Sequence, residues 1–183
     1  MPTQLNILIA EDSETDLELI MGELRRSGYE PRWKQVETEA AFLEELKKEP
    51  DLILSDYAMP QFSGLRAAEL TQDSGLNIPL ILISGTVGED AAVEAMKLGV
   101  ADYFLKDRLA RLGKSVENVL EKKRLRDQQK QAVEEIRSQL EELQRWQEAT
   151  LGREERIMEL KQEVNELLTQ LKQPPRYSSP NEI

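Results

Sequence analysis

The chain has 183 residues, room for one ordinary domain and an appendage, and its 39% apolar and 5% aromatic content suits one modest core beside a solvated part. Its formal charge of −11 is opposite to the basic footprint of nucleic-acid binders, so no nucleic-acid partner is expected. Cysteine and histidine are both absent, which excludes disulfides, Cys/His zinc sites and His-dependent catalytic triads and leaves only a hard, oxygen-ligated cation as a possible metal.

The N-terminal Met-Pro-Thr-Gln has no basic region and no apolar stretch behind it, so no secretory signal is read and a cytoplasmic location is expected. The apolar runs that follow are three to six residues long, too short for membrane insertion. They lie at Leu5–Ala10, Leu52–Ser55, Leu80–Ser84 and Tyr103–Leu105, with a weaker strand at Pro31–Val36. Unbroken rather than alternating runs suit strands covered on both faces, the signature of a parallel sheet. Between them apolar residues fall at helical spacing: Leu17, Ile20, Met21 and Leu24; Phe42, Leu43 and Leu46; Leu65, Ala68 and Leu70; Ala92, Val93, Ala95, Met96 and Leu98. Ser13 ahead of Glu14–Asp16 reads as an N-cap with acids in the first turn, and Gly28 and Gly99 stand where C-caps belong. The β-α-β-α order predicts a doubly wound α/β domain over residues 1–123.

From Leu112 onward the strand signal ends. Residues 113–172 hold no proline, and Gly152 is the one glycine after Gly113. Val133, Ile136, Leu140 and Leu143 step by three and four, as do Ile157, Leu160, Val164, Leu167 and Leu171, with Leu168 beside them. These are the seams of a helical coiled-coil tail over residues 124–172. Fourteen residues separate Leu143 from Ile157, where a heptad step asks for four or eleven. That mismatch predicts either a stammer or a break between two helices near 150–152. Trp146 lies off the first seam, and packing in a dimer, covering Gly152 or standing exposed are all open to it. The Pro- and Ser-rich end, 173–183, reads as a helix stop and a disordered terminus.

Acids, a hydroxyl and an ammonium follow the strands. Glu11 and Asp12 come after the first, Asp56 after the third, Ser84 ends the fourth, and Lys106 ends the fifth. In a parallel sheet with right-handed crossovers these ends meet along one edge. Clustered carboxylates repel unless neutralised, and Mg²⁺ accepts one or two of them alongside phosphate oxygens. Asp56 could then act as a covalent nucleophile toward phosphorus, with Lys106 and the Ser84 hydroxyl stabilising the equatorial oxygens. The bland reading of Asp56 is a loop cap, that of Glu11 and Asp12 helix-start acids, and that of Tyr103 a core aromatic.

Residues 5–123 resemble the receiver domain of bacterial response regulators. The matching pieces are Glu11-Asp12, Asp56-Tyr57-Ala58-Met59-Pro60, Ser84-Gly85-Thr86, and Tyr103 three residues before Lys106. The resemblance implies a flavodoxin-like five-stranded parallel sheet of order 2-1-3-4-5. It also implies phosphorylation of Asp56, and Mg²⁺ held by Asp12, Asp56 and the Ala58 backbone carbonyl with Glu11 close by. Ser84, Lys106 and Tyr103 would be the phosphoryl-stabilising and switch residues, and Ala58 and Thr86 would modulate them. Asp107 departs from the pattern, standing where many members have proline. The tail segment 153–168 resembles helical connectors of multidomain signalling proteins.

With no histidine, the chain can only receive in such a relay, from a histidine kinase or phosphotransfer protein. No DNA-binding, cyclase or kinase module is recognisable in the sequence, so protein–protein output through a homodimeric tail is expected. The alternatives are a constitutive dimerisation scaffold, a receiver fragment of a larger hybrid protein, and an aspartyl-phosphate hydrolase. Against the last, Ala58 breaks the Asp-x-Asp pattern of such enzymes.

Overall fold

The computed structural model describes residues 2–85 and 89–177, and within it the chain divides into two compact units, residues 1–128 and 129–183. The first is built on strands β1 (Thr3–Ala10), β2 (Tyr29–Val36), β3 (Leu52–Asp56), β4 (Leu80–Ser84) and β5 (Asp102–Leu105), all parallel, in spatial order β2-β1-β3-β4-β5. Helices α1 (Glu14–Arg26), α2 (Glu39–Leu46), α3 (Gly64–Asp73) and α4 (Glu89–Lys97) connect them. A 3₁₀ turn over Lys106–Arg111 leads into α5 (Leu112–Gln170). The doubly wound 2-1-3-4-5 sheet expected from the sequence is therefore the one observed.

The unbroken apolar runs have the predicted cause. Successive residues of one strand feed opposite cores. Leu8, Ile53 and Leu82 pack with Phe42, Leu46, Phe62, Ala67 and Ala95 on one face. Ile7, Leu54, Ile81 and Ile83 pack with Leu17, Ile20, Leu24, Leu112 and Val116 on the other. Both β3 and β4 are buried along their whole length. By contrast β2 is an edge strand and half exposed, which lets it hold Pro31 and explains its weak signal.

Helix starts are fixed by side-chain caps: Ser13, Thr38 and Ser63 accept from the backbone N–H of Asp16, Ala41 and Arg66. Two glycines permit close approaches at the starts of helices. A Cβ on Gly64, the first residue of α3, would lie 2.5 Å from the Asp56 carbonyl oxygen and 2.5 Å from Leu82 Cδ2. A Cβ on Gly113, in the first turn of α5, would collide with the Ser27 side chain at the end of α1. The start of α5 is also tied to β5, because the Ser115 hydroxyl donates to the Asp102 carboxylate.

Of the two alternatives for the second unit, a stammer or a break, the break needs correction. The helix runs through 150–152 without interruption, so the break between two helices does not occur. Gly152 costs a helix only about 1 kcal/mol relative to alanine, and no proline is present to remove a backbone donor. The Thr150 hydroxyl also satisfies the Trp146 carbonyl one turn back, and Trp146 itself is exposed. After α5 come residues 173–177 of the Pro- and Ser-rich end. The chain turns at Lys172, whose φ is +57°, and Asn165 holds the returning segment. Its carboxamide oxygen accepts from the Arg176 and Tyr177 N–H groups, and its amide donates to the Tyr177 carbonyl. Residues 178–183 lie outside those described. Among the described residues, no helix is long and apolar enough to cross a membrane.

Gly64→Ala is expected to destabilise the first unit by roughly 1–3 kcal/mol, the usual cost of overpacking. The Leu82 side chain can rotate away, but the Asp56 backbone cannot. Urea unfolding that matched wild type would show that α3 does not need this close approach.

Candidate functional site

Strand register brings the site residues to one edge of the sheet. Ala10 pairs with Ser55, Asp56 with Ile83, and Ser84 with Leu105, so Glu11, Asp56, Ser84 and Lys106 all sit where their strands end. Asp56 and Glu11 are buried, Asp12 is exposed, and Ser84 is buried at the end of β4.

Lys106 organises this edge. Its Nζ donates to Glu11 Oε2 at 3.0 Å, Asp56 Oδ2 at 3.0 Å and Asp16 Oδ2 at 2.6 Å. The other carboxylate oxygens of Glu11 and Asp56 are also held. Glu11 Oε1 accepts from the Ser13 N–H, and Asp56 Oδ1 accepts from the Ala58 N–H at 3.3 Å. The Glu11 backbone is fixed as well, its N–H donating to the Val36 carbonyl and its own carbonyl accepting from the Gln35 amide. Met59, three residues after Asp56, is buried in the core and anchors the loop that carries Ala58.

The ionisation of the cluster follows from burial and pairing. Burial raises the Glu11 pKa above the ordinary 4.5, although the Lys106 hydrogen bond, the Ser13 N–H and the Lys106 charge pull the other way. For Lys106, burial alone would lower the pKa. The hydrogen bonds to Asp16, Asp56 and Glu11 outweigh burial, and the ammonium is held well above the ordinary 10.5.

Glu11, Asp12 and Asp56 can each offer a carboxylate oxygen, all within 4.8 Å of one another. An all-oxygen, acid-rich donor set is the chemistry that hard divalent cations take. With all acids ionised, the carboxylates of Glu11, Asp12, Asp16 and Asp56 face the one ammonium of Lys106 here, so the pocket carries excess negative charge.

The structure thus gathers Glu11, Asp12, Asp56 and Lys106, and sets Ser84 on the same edge. The Tyr103 ring packs against the core on the α2–α3–α4 side and is partly exposed. Ala58 is exposed, with its N–H turned to the Asp56 carboxylate. Thr86 lies outside the described residues. Sequence reasoning did not find Asp16 as part of this cluster. Its position in the first turn after Ser13 reads as helix capping, and only the fold brings Lys106 to it.

The family model described as "Response regulator receiver domain" matches residues 7–117. The phosphate regulon transcriptional regulatory protein PhoB of Pseudomonas aeruginosa is 33% identical over 106 residues, covering 55% of this chain and 44% of that protein. The receiver domain of the putative response regulator NarL from Mycobacterium tuberculosis superposes with a TM-score of 0.56 at 26% identity, over 67% of this chain and 98% of that one. The Mn²⁺-bound form of response regulator Rcp1 gives a TM-score of 0.50 at 28% identity, over 63% of this chain and 91% of that one. The chain spans less than half the length of the curated relatives it matches.

The Lys106 contacts predict a pH signature. A lysine whose pKa is raised on folding contributes stability that is fully present below 10.5 and is lost as pH rises through its higher folded pKa. The stability advantage of wild type over Lys106→Met should therefore hold from neutral pH to 10.5 and shrink only above it. An advantage that disappears below that pH in thermal melts would contradict the geometry.

Proposed function

The chain belongs to the response regulator receiver domain family, and from that membership we propose that it takes a phosphoryl group onto Asp56 from a histidine kinase or phosphotransfer protein. As a receiver it is a phosphoacceptor module of phosphorylation-based signalling rather than a classical enzyme. The observation that carries the assignment of Asp56 is the Lys106 bridge, which holds that carboxylate at a strand end beside two further acids.

In this reading one Asp56 carboxylate oxygen attacks the phosphorus of the donor. The bond from phosphorus to the donor's leaving atom breaks, and the leaving group departs with the electron pair. Lys106, already within hydrogen-bond reach of Asp56, stabilises charge on the phosphoryl oxygens, and the Ser84 hydroxyl donates to one of them. Asp12, Asp56 and the Ala58 carbonyl, with Glu11 alongside, would hold Mg²⁺. The oxygen donor set supports that choice, as does the Mn²⁺ bound by the related Rcp1. When bound, the cation supplies Lewis-acid neutralisation of the acids and of the incoming phosphate.

Transmission is assigned to Tyr103 and to the start of α5, with Ala58 and Thr86 modulating the site. Asp102 bonds Ser115 of α5 and also accepts from the Tyr103 N–H, so a shift in β5 has a direct path to that helix. The output is proposed to be a homodimeric coiled coil acting on another signalling protein. Val133, Ile136, Leu140 and Leu143 are all more than half exposed on one chain. Burying such side chains in a second copy is worth about 1.5–3 kcal/mol each. The ion pair of Arg137 with Glu141 lies within one helix and supports that helix by only about 0.3–0.5 kcal/mol. A cytoplasmic location goes with this reading.

Acetyl phosphate with Mg²⁺ should label wild type and leave Asp56→Asn unlabelled and folded. Equal labelling of the variant would overturn the assignment. For the tail, sedimentation should give a dimer for wild type and a monomer for the Ile136→Asp, Leu140→Asp double variant. A wild-type monomer at tens of micromolar would refute the dimer.

A further inference from the structure

We propose that Asp16 is a positioning residue that holds Lys106 back and so restrains phosphoryl uptake by Asp56; this rests on the reading of Asp56 as the phosphoacceptor. An ammonium has three N–H donors, and those of Lys106 are all engaged, by Glu11, Asp56 and Asp16. The bond to Asp16 is the shortest of the three, at 2.6 Å. Stabilising an incoming phosphoryl group therefore requires one of these acids to yield a donor.

The three acids differ in what they can yield. Glu11 is 1% exposed and its other oxygen is fixed by the Ser13 N–H, so its bond to Lys106 stays. Asp56 is the reacting group. Asp16 is the most exposed of the three, with 27% of its side chain exposed against 9% for Asp56 and 1% for Glu11. It is placed by the same Ser13 that fixes Glu11, since the Ser13 hydroxyl accepts from the Asp16 N–H. Glu11, Ser13 and Asp16 thus form one turn that aims two carboxylates at one ammonium.

Two effects of Asp16 act in the same direction. It occupies a donor that the phosphoryl oxygens need in the transition state, and it adds a negative charge where an anionic donor must approach. Removing its charge releases Lys106 toward the phosphoryl oxygens and lowers the repulsion. In uptake from acetyl phosphate, an Asp56 oxygen bonds to phosphorus while the bond from phosphorus to the acetate oxygen breaks, and acetate leaves with the electron pair. Lys106 keeps its protons throughout.

The test is the initial rate of acetyl phosphate labelling on the full chain at saturating Mg²⁺, together with the apparent affinity for beryllofluoride. Asp16→Asn should label several-fold faster than wild type and bind beryllofluoride more tightly. Asp16→Glu, which restores the charge, should return toward the wild-type rate. Glu14→Gln, which removes the other acid of the same helical turn, should leave the rate unchanged. A merely structural role for Asp16 would lower stability without speeding labelling. Wild-type labelling with an Asp16→Asn rate equal to it or slower overturns this inference alone. No labelling of wild type overturns the phosphoacceptor reading and this inference together.

Discussion

A single lysine ammonium wedged among carboxylates from three parts of the chain is the interaction on which the rest of the structure turns. Lys106 reaches Glu11 after β1, Asp16 in α1 and Asp56 at the end of β3, residues separated by up to 95 positions. Like charges at such proximity cost free energy unless compensated, and one ammonium is insufficient for four acids. The sheet order, the register and the caps at Ser13 and Ser63 all serve to hold this imbalance together. An excess of negative charge at a buried strand edge is what a divalent cation can neutralise, and an anionic phosphoryl group needs the same neutralisation.

The constraint extends into backbone packing. Gly64 lets α3 start against the Asp56 carbonyl, and Gly113 lets α5 start against the end of α1. Asp56 and the start of α5 are therefore both seated by close approaches that leave no room for a Cβ. The Asp102–Ser115 contact then ties β5, the strand that ends at Lys106, to that same helix. Phosphoryl chemistry and helix position share these elements, which is the physical basis for reading the chain as a switch.

Much of the first unit was legible in the sequence, because strands buried on both faces leave unbroken apolar runs and because parallel strands bring the acids that follow them to one edge. The run Leu80–Ser84 matches β4 residue for residue. What the sequence concealed is long-range. Asp16 carries a local signal for helix capping, and that signal is correct, yet its second partner lies 90 residues away. Ser63-Gly64 reads locally as a turn, but the steric need for glycine comes from the Asp56 backbone and Leu82. At Thr150–Gly152 the phase mismatch is real, but a heptad slip does not by itself break a helix lacking proline. Asn165 has no pattern that announces its three bonds to the returning chain.

The central claim is that the acidic pocket accepts a metal and a phosphoryl group together on Asp56. Fluorine-19 NMR of the full chain with beryllofluoride tests it most directly. The account predicts a protein-bound fluoride resonance that appears with Mg²⁺, vanishes on chelation, and is missing in Asp56→Asn. No bound resonance in wild type with Mg²⁺ present, or one that persists unchanged in Asp56→Asn, would contradict it.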